Sequence, residues 1–294
     1  MIMYAVIKRM NLRTLILIFI VSLLSACTTF KPEALEYSSL KIENKKKPLK
    51  YAVYTPPNWV KGERLPLVLF LHGAGSTHKS FERYGVHAYL DQEIAAGRAP
   101  RAIILIPRGG LTMWENWDYG PISYRDWMIK GLMPEIQKAY STLECPENCH
   151  VIGTSMGGFG ALRLAQLEGD KFESVSSISG LIFSYEKNQR GSILFQTIMY
   201  FPSLNIFGFR KNSNLIDPYK VWVNDNDEKK PRLQLIWGDK DQKGIIKTNQ
   251  DLHQRLSQAN IEHEAHVYNG RHKWVDWVPL FSKALNFSIS PKIN

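Results

Sequence analysis

A serine stands between glycines in Gly153-Thr154-Ser155-Met156-Gly157, where the apolar run CHVIGT meets the helix-forming run FGALRLA. Two chemistries use glycines in such a place. A phosphate cradle points backbone N–H groups at an anion, and its usual form puts a lysine directly after the last glycine. No lysine follows here, and Arg163 lies one or two turns into the helix. GGFG also fails to supply the glycine spacing of a dinucleotide fingerprint. The alternative is a nucleophile elbow, G-x-S-x-G, in which small neighbours let a strained serine project from a strand-to-helix turn.

A serine nucleophile needs a base, an acid that orients the base, and donors for the oxyanion it creates. Where the elbow comes first, the acid and then the histidine follow later in the chain. LQLIWGDKDQ ends an apolar run with two acids in the next turn. Asp241, three residues past Gly238, has the reach to turn back over a sheet edge, whereas Asp239 suits a cap on the turn. AHVYNGRHKW then turns through Asn269-Gly270 and presents His272 just before the last helical pattern. His253, His263 and His266 fall inside helix or strand patterns and read as structural. One oxyanion donor is the N–H of Met156 at the helix N-terminus. The second is expected from FLHGAGS, at Ala74 with Gly73 as the alternate, and His72 is expected to hold that loop.

Those residues must be positioned by an alternation of elements. PLVLFLHG (66–73), RAIILIPRG (101–109), CHVIGTS (149–155), SVSSISG (174–180), PRLQLIWGD (231–239) and EHEAHVYNG (262–270) read as strands buried on both faces. Helical patterns lie between them at 89–96, 125–139, 159–168, 249–259 and 274–285. Strand alternating with helix predicts an α/β fold with a mostly parallel sheet. YSSLKIE and LKYAVYTPP predict a front hairpin across NKKKP, which makes the sheet mixed. The stretch 181–230 is longer than one crossover needs and is expected as an insertion, either a lid or a packed helix pair. Trp114, Trp117 and Tyr119 in MWENWDYG either line a substrate pocket or pack beneath that insertion.

The 294 residues suit one large domain, and 44% apolar with 22% charged residues is ordinary for a globular chain. The net charge of +10 is scattered rather than striped, so nucleic-acid binding is not supported. Lys8, Arg9 and Arg13 precede LILIFIVSLLSA, the plan of an export signal and short for a membrane span. The junction Leu24-Ser25-Ala26-Cys27 resembles the bacterial lipobox, which implies cleavage before Cys27, acylation of its sulfur and a tether over 27–36. Thr28 after it implies, by the same resemblance, an outer-membrane anchor facing the periplasm. Cys145 and Cys149 in ECPENCH suit either a small disulfide in an oxidising compartment or two free thiols flanking a turn, and fall short of a zinc site.

LHGAG, GTSMGGFGAL, GDKD and NGRHKWVDW together resemble the α/β-hydrolase superfamily, specifically its esterase-D-like, feruloyl-esterase-like and polyhydroxybutyrate-depolymerase-like serine esterases. The resemblance runs from about residue 37 to 287 and is weakest across 181–230, and it implies a catalytic domain over 37–290. It implies a triad of Ser155, Asp241 and His272 that works with no metal and no cofactor on a small or oligomeric ester. Siderophore esterases and serine peptidases use the same triad, and a silent envelope binding protein is the non-enzymatic alternative. The acyl and alcohol parts of a substrate are not implied.

Overall fold

The structure, a computed structural model, describes residues 35–41, 47–117, 121–182 and 230–289. Eight strands form one sheet in the order β1-β2-β4-β3-β5-β6-β7-β8. β1 (Leu35–Leu40) and β2 (Leu49–Tyr54) pair antiparallel, and β2 joins β4 (Ile103–Pro107) antiparallel. β3 (Leu67–Leu71), β5 (Cys149–Thr154), β6 (Ser174–Ile178), β7 (Arg232–Gly238) and β8 (Glu264–Tyr268) continue the sheet in parallel. The fold is the expected α/β-hydrolase architecture, with a mixed sheet whose parallel part carries the site. β1 begins at Leu35, inside the stretch expected as a tether.

The apolar runs of β3 to β7 are buried on both faces, side chains alternating along each strand, whereas β8, expected to be buried likewise, is the edge strand and leaves Glu264, Ala265 and Val267 exposed. Odd-numbered residues such as Leu67, Leu69, Leu71, Val151 and Leu235 join one core. That core includes the helices α3 (Tyr124–Asp126), α4 (Met133–Tyr140), α5 (Met156–Leu167) and α6 (Lys243–Gln258). Phe70 faces the other way, its ring 5.0 Å from Phe81 and 5.1 Å from Phe281. Those partners belong to α1 (Ser80–Arg83) and α8 (Leu280–Ile289), and α8 also packs on α2 (Val86–Ala95).

Two expected helices are interrupted. The one expected over 125–139 runs from α3 through a π-helical turn, Trp127–Leu132, before α4 resumes. Pro134 lies in the first turn of α4 and has no N–H to donate backward, so the ladder changes register just before it. The helix expected over 274–285 is split into α7 (Trp274–Trp277) and α8, with Pro279 at the break. Conversely, α5 starts three residues earlier than its sequence pattern, because Gly157, Gly158 and Gly160 are weak helix formers that packing holds in place. The insertion expected at about 181–230 falls almost wholly outside the described residues, as do Cys27 and the whole leader.

Candidate active site

Ser155 sits between the end of β5 and the start of α5 with φ 56° and ψ −117°, backbone angles that a side chain strains to adopt. Its peptide groups are tied on both sides. Its N–H donates to Ile178 O at 2.9 Å, and its carbonyl accepts from Leu181 N–H at 3.0 Å and Phe159 N–H at 3.2 Å. Glycine is required around it for space. A Cβ on Gly153 would collide with the backbone of Gly157, and one on Gly157 would collide with the carbonyl of Leu71. The tight turn thrusts the hydroxyl outward while strand and helix press together.

The acid and the histidine reach it from the next parallel strands but one and two. His272 Nε2 lies 2.8 Å from Ser155 Oγ, and His272 Nδ1 lies 2.8 Å from Asp241 Oδ1. A carboxylate only accepts, so Nδ1 carries the proton and Nε2 turns its lone pair toward the serine. The Asp241 side chain is fully shielded, and its Oδ1 also accepts the Gln242 N–H at 2.6 Å. Asp239 faces elsewhere: its Oδ1 accepts the Gly270 N–H at 3.0 Å. Asp239 N–H in turn donates to Tyr268 O at 2.9 Å, and Lys240 N–H to Gly270 O at 3.0 Å. The loops after β7 and β8 are thereby laced to each other beside the 2.8 Å contact between Asp241 and His272.

The loop after β3 passes beside the serine. A Cβ on Gly73 would lie 3.1 Å from Ser155 Cβ and 3.6 Å from its Oγ. His72 is buried and bridges two backbones: its Nδ1 donates to Gly73 O at 2.8 Å, and its Nε2 accepts the Gly109 N–H at 3.1 Å. That pairing requires the neutral ring, and burial pushes the imidazole down to about 4. Ser76 N–H also donates to Gly73 O, at 3.2 Å. With its carbonyl held twice, the Gly73–Ala74 peptide is fixed, and its trans geometry sends the Ala74 N–H to the opposite side. Met156 opens α5, where the first N–H groups have no partner within the helix.

Several supports were not read from the sequence. Trp277 packs edge-on against His272, ring centres 4.7 Å apart at 84°. Its indole N–H reaches Tyr268 Oη at 3.0 Å and Ser179 Oγ at 3.2 Å, and the Tyr268 hydroxyl donates to Arg271 O at 3.1 Å. Burial holds the Tyr268 phenol up at about 12, so it stays a donor. On the other side, buried Glu115 bonds Arg163 of α5 and, at 3.0 Å, Arg125. These ion pairs fix the loop that carries Gly109. Arg163, the one charge in the apolar α5 sequence MGGFGALRLAQL, was the available signal.

Trp114 is 1% exposed and its indole N–H donates to His72 O at 3.3 Å. It is a prop under the loop after β3 and forms no open pocket wall, because Gly109 and Gly160 leave no gap around its ring. Trp117 is partly buried against the same core, and Tyr119 lies outside the described residues. Cys145 and Cys149 are joined as a disulfide with Cα atoms 5.1 Å apart, Cys149 being the first residue of β5 and Ser155 following that strand's other end. Among the described residues, no group of three or more His, Cys, Asp or Glu side chains could hold a metal ion.

The family described as "Putative esterase" matches residues 43–288. An esterase of Mycobacterium tuberculosis is 26% identical over 235 residues, which are 72% of this chain and 49% of that protein. The MPT51 antigen of Mycobacterium leprae is 25% identical over 186 residues, 60% of this chain and 56% of that one. The chain spans about half the length of the curated relatives it matches. Among solved structures, a substrate-bound fluorophosphonate-binding serine hydrolase of Staphylococcus aureus has a TM-score of 0.72 at 19% identity, covering 88% of this chain and 99% of that chain. An S-formylglutathione hydrolase of the same bacterium has a TM-score of 0.68 at 20% identity, covering 87% and 99%. These structural likenesses establish a shared fold.

Proposed function

The chain belongs to this esterase family, and we propose that it is a serine hydrolase that cleaves a carboxylic ester through an acyl-enzyme. The observation that carries the reading is the unbroken contact series from Ser155 Oγ through His272 Nε2 and Nδ1 to Asp241 Oδ1, both hydrogen bonds being 2.8 Å. His272 Nε2 takes the Ser155 proton as Oγ bonds to the ester carbonyl carbon. Asp241 stabilises the imidazolium, and the N–H groups of Met156 and Ala74 meet the oxyanion. Collapse of the tetrahedral species breaks the C–O bond, and His272 gives its proton to the departing alcohol. Water, deprotonated by the same nitrogen, then attacks the acyl carbon; the acyl–Oγ bond breaks, His272 returns the proton to Ser155 Oγ, and the acid departs.

A fluorophosphonate probe tests this directly. The wild type should be labelled and Ser155→Ala should not, with both showing the same circular dichroism. An unlabelled wild type, or undiminished labelling of the variant, overturns the reading.

We also propose that the chain is exported and held by a lipid on Cys27 at the periplasmic face of an outer membrane. The basic start, apolar run and Leu24-Ser25-Ala26-Cys27 junction support this. Among the described residues no helix is long and apolar enough to cross a membrane. Cys27→Ala should move the protein from the membrane fraction to the soluble one; retention of the variant in the membrane counts against lipidation.

A further inference from the structure

Trp274, two residues beyond His272, spans to a different part of the site. Its indole N–H donates to Ser76 Oγ at 3.2 Å, across 198 positions of sequence. Ser76 N–H holds the Gly73 carbonyl, whose other donor is His72. One continuous path therefore runs from the loop that carries the base to the peptide that presents the Ala74 N–H.

The two ends of this path differ in what holds them. The indole is clamped: it stacks on Tyr84 with ring centres 4.6 Å apart at 8°, and meets Phe70 at 6.3 Å, Trp277 at 5.5 Å and Phe281 at 6.4 Å. Its single polar atom consequently has one fixed direction. The receiving loop, Gly73-Ala74-Gly75-Ser76, has almost no side chain with which to anchor itself. Ala74 and Gly75 are exposed, and a Cβ on Gly75 would touch nothing within 4 Å. Hydrogen bonds must place it, and an oxyanion donor works only within a few tenths of an ångström of its proper distance.

We infer that Trp274 and Ser76 form a latch that sets the Ala74 N–H for the oxyanion, making both positioning residues for the reaction. The inference rests on the serine-hydrolase reading above. The latch acts in the transition state, when the carbonyl oxygen becomes charged. Its loss should appear in kcat and leave KM nearly alone.

The test compares Trp274→Phe, which keeps the stacked ring and removes the N–H, with Ser76→Ala, Ser76→Thr and the Trp274→Phe/Ser76→Ala pair. Steady-state hydrolysis of a p-nitrophenyl ester and the rate of fluorophosphonate labelling are measured, with melting temperature as the control for folding. Trp274→Phe and Ser76→Ala are each expected to lower kcat about ten-fold with KM within about two-fold, a loss of the size that small misplacements cause. Labelling should slow in parallel, Ser76→Thr should restore most of the rate, and the pair should lose no more than either alone. Unchanged kcat, a loss confined to KM, or losses that multiply in the pair overturn the latch. Should Trp274→Phe fail to fold, the Ser76 alanine and threonine variants decide by themselves. A wild type that neither hydrolyses nor labels overturns the serine-hydrolase reading, and the latch with it. A labelled wild type with unimpaired variants overturns the latch alone.

Discussion

The α-carbon of Gly157 rests against the backbone carbonyl of Leu71, with no room between them for a methyl group. Both partners are backbone, so no rotamer change relieves the clash. Gly157→Ala must part α5 from β3, and it should lower unfolding stability by on the order of 1–3 kcal/mol or prevent folding. Gly244 in α6 supplies the contrast, since a Cβ there meets nothing within 4 Å. Gly244→Ala should raise stability by roughly 0.5–1 kcal/mol through helix propensity. Urea midpoints of the two variants should therefore move in opposite directions, and equal shifts would refute the packing argument.

Asp239 and Asp241, two residues apart, are assigned different work by their partners. Asp239→Asn keeps an oxygen for the Gly270 N–H, while Asp241→Asn removes the charge beside His272. On a p-nitrophenyl ester, Asp241→Asn should reduce kcat by about 10²-fold or more. Asp239→Asn should cost markedly less. The reverse ranking would move the acid's role to Asp239.

Acid should weaken the fold over a defined range. His72, His78 and His150 are each held down to about 4, burial being the largest cause for all three. In the unfolded chain such groups take up protons below about pH 6.5. Above that pH they are neutral in both states and contribute no slope. From 6.5 down to 4 only the unfolded state gains the proton, so stability falls as pH falls, and below 4 the loss is complete. For His72 and His150, which are fully enclosed, the loss approaches about 3 kcal/mol each. Urea midpoints from pH 7.5 to 4 should show the decline, and His150→Gln should flatten it; a midpoint constant over this range contradicts the account.

What the sequence made legible is what depends on local pattern. The six apolar runs became β3 to β8 within two residues at every end, since short runs flanked by Gly or polar residues mark strands, although the exposed edge strand β8 was expected to be buried. Ser155, Asp241 and His272 were readable because each follows a strand at a turn. Lateral order was not: β4 lies outside β3, and only pairing across the sheet decides that. Nor were the supports of His272, because Ser179, Tyr268 and Trp277 are ordinary residues until the fold brings 98 positions of separation down to hydrogen-bond distance. Trp114 in MWENWDYG was visible, but whether it faced a cavity or filled the gap above Gly109 and Gly160 depended on how closely the backbones approach.

Ser155 holds φ 56° and ψ −117°, a conformation in which glycine would be at ease and a Cβ is not. Strain of this kind is worth about 1–3 kcal/mol, a sizeable part of the net stability of a domain. A chain selected only for durability would carry glycine at 155. Reactivity and robustness therefore compete at one residue, and the surrounding lattice of backbone bonds to Ile178, Leu181 and Phe159 is what lets the less stable choice survive.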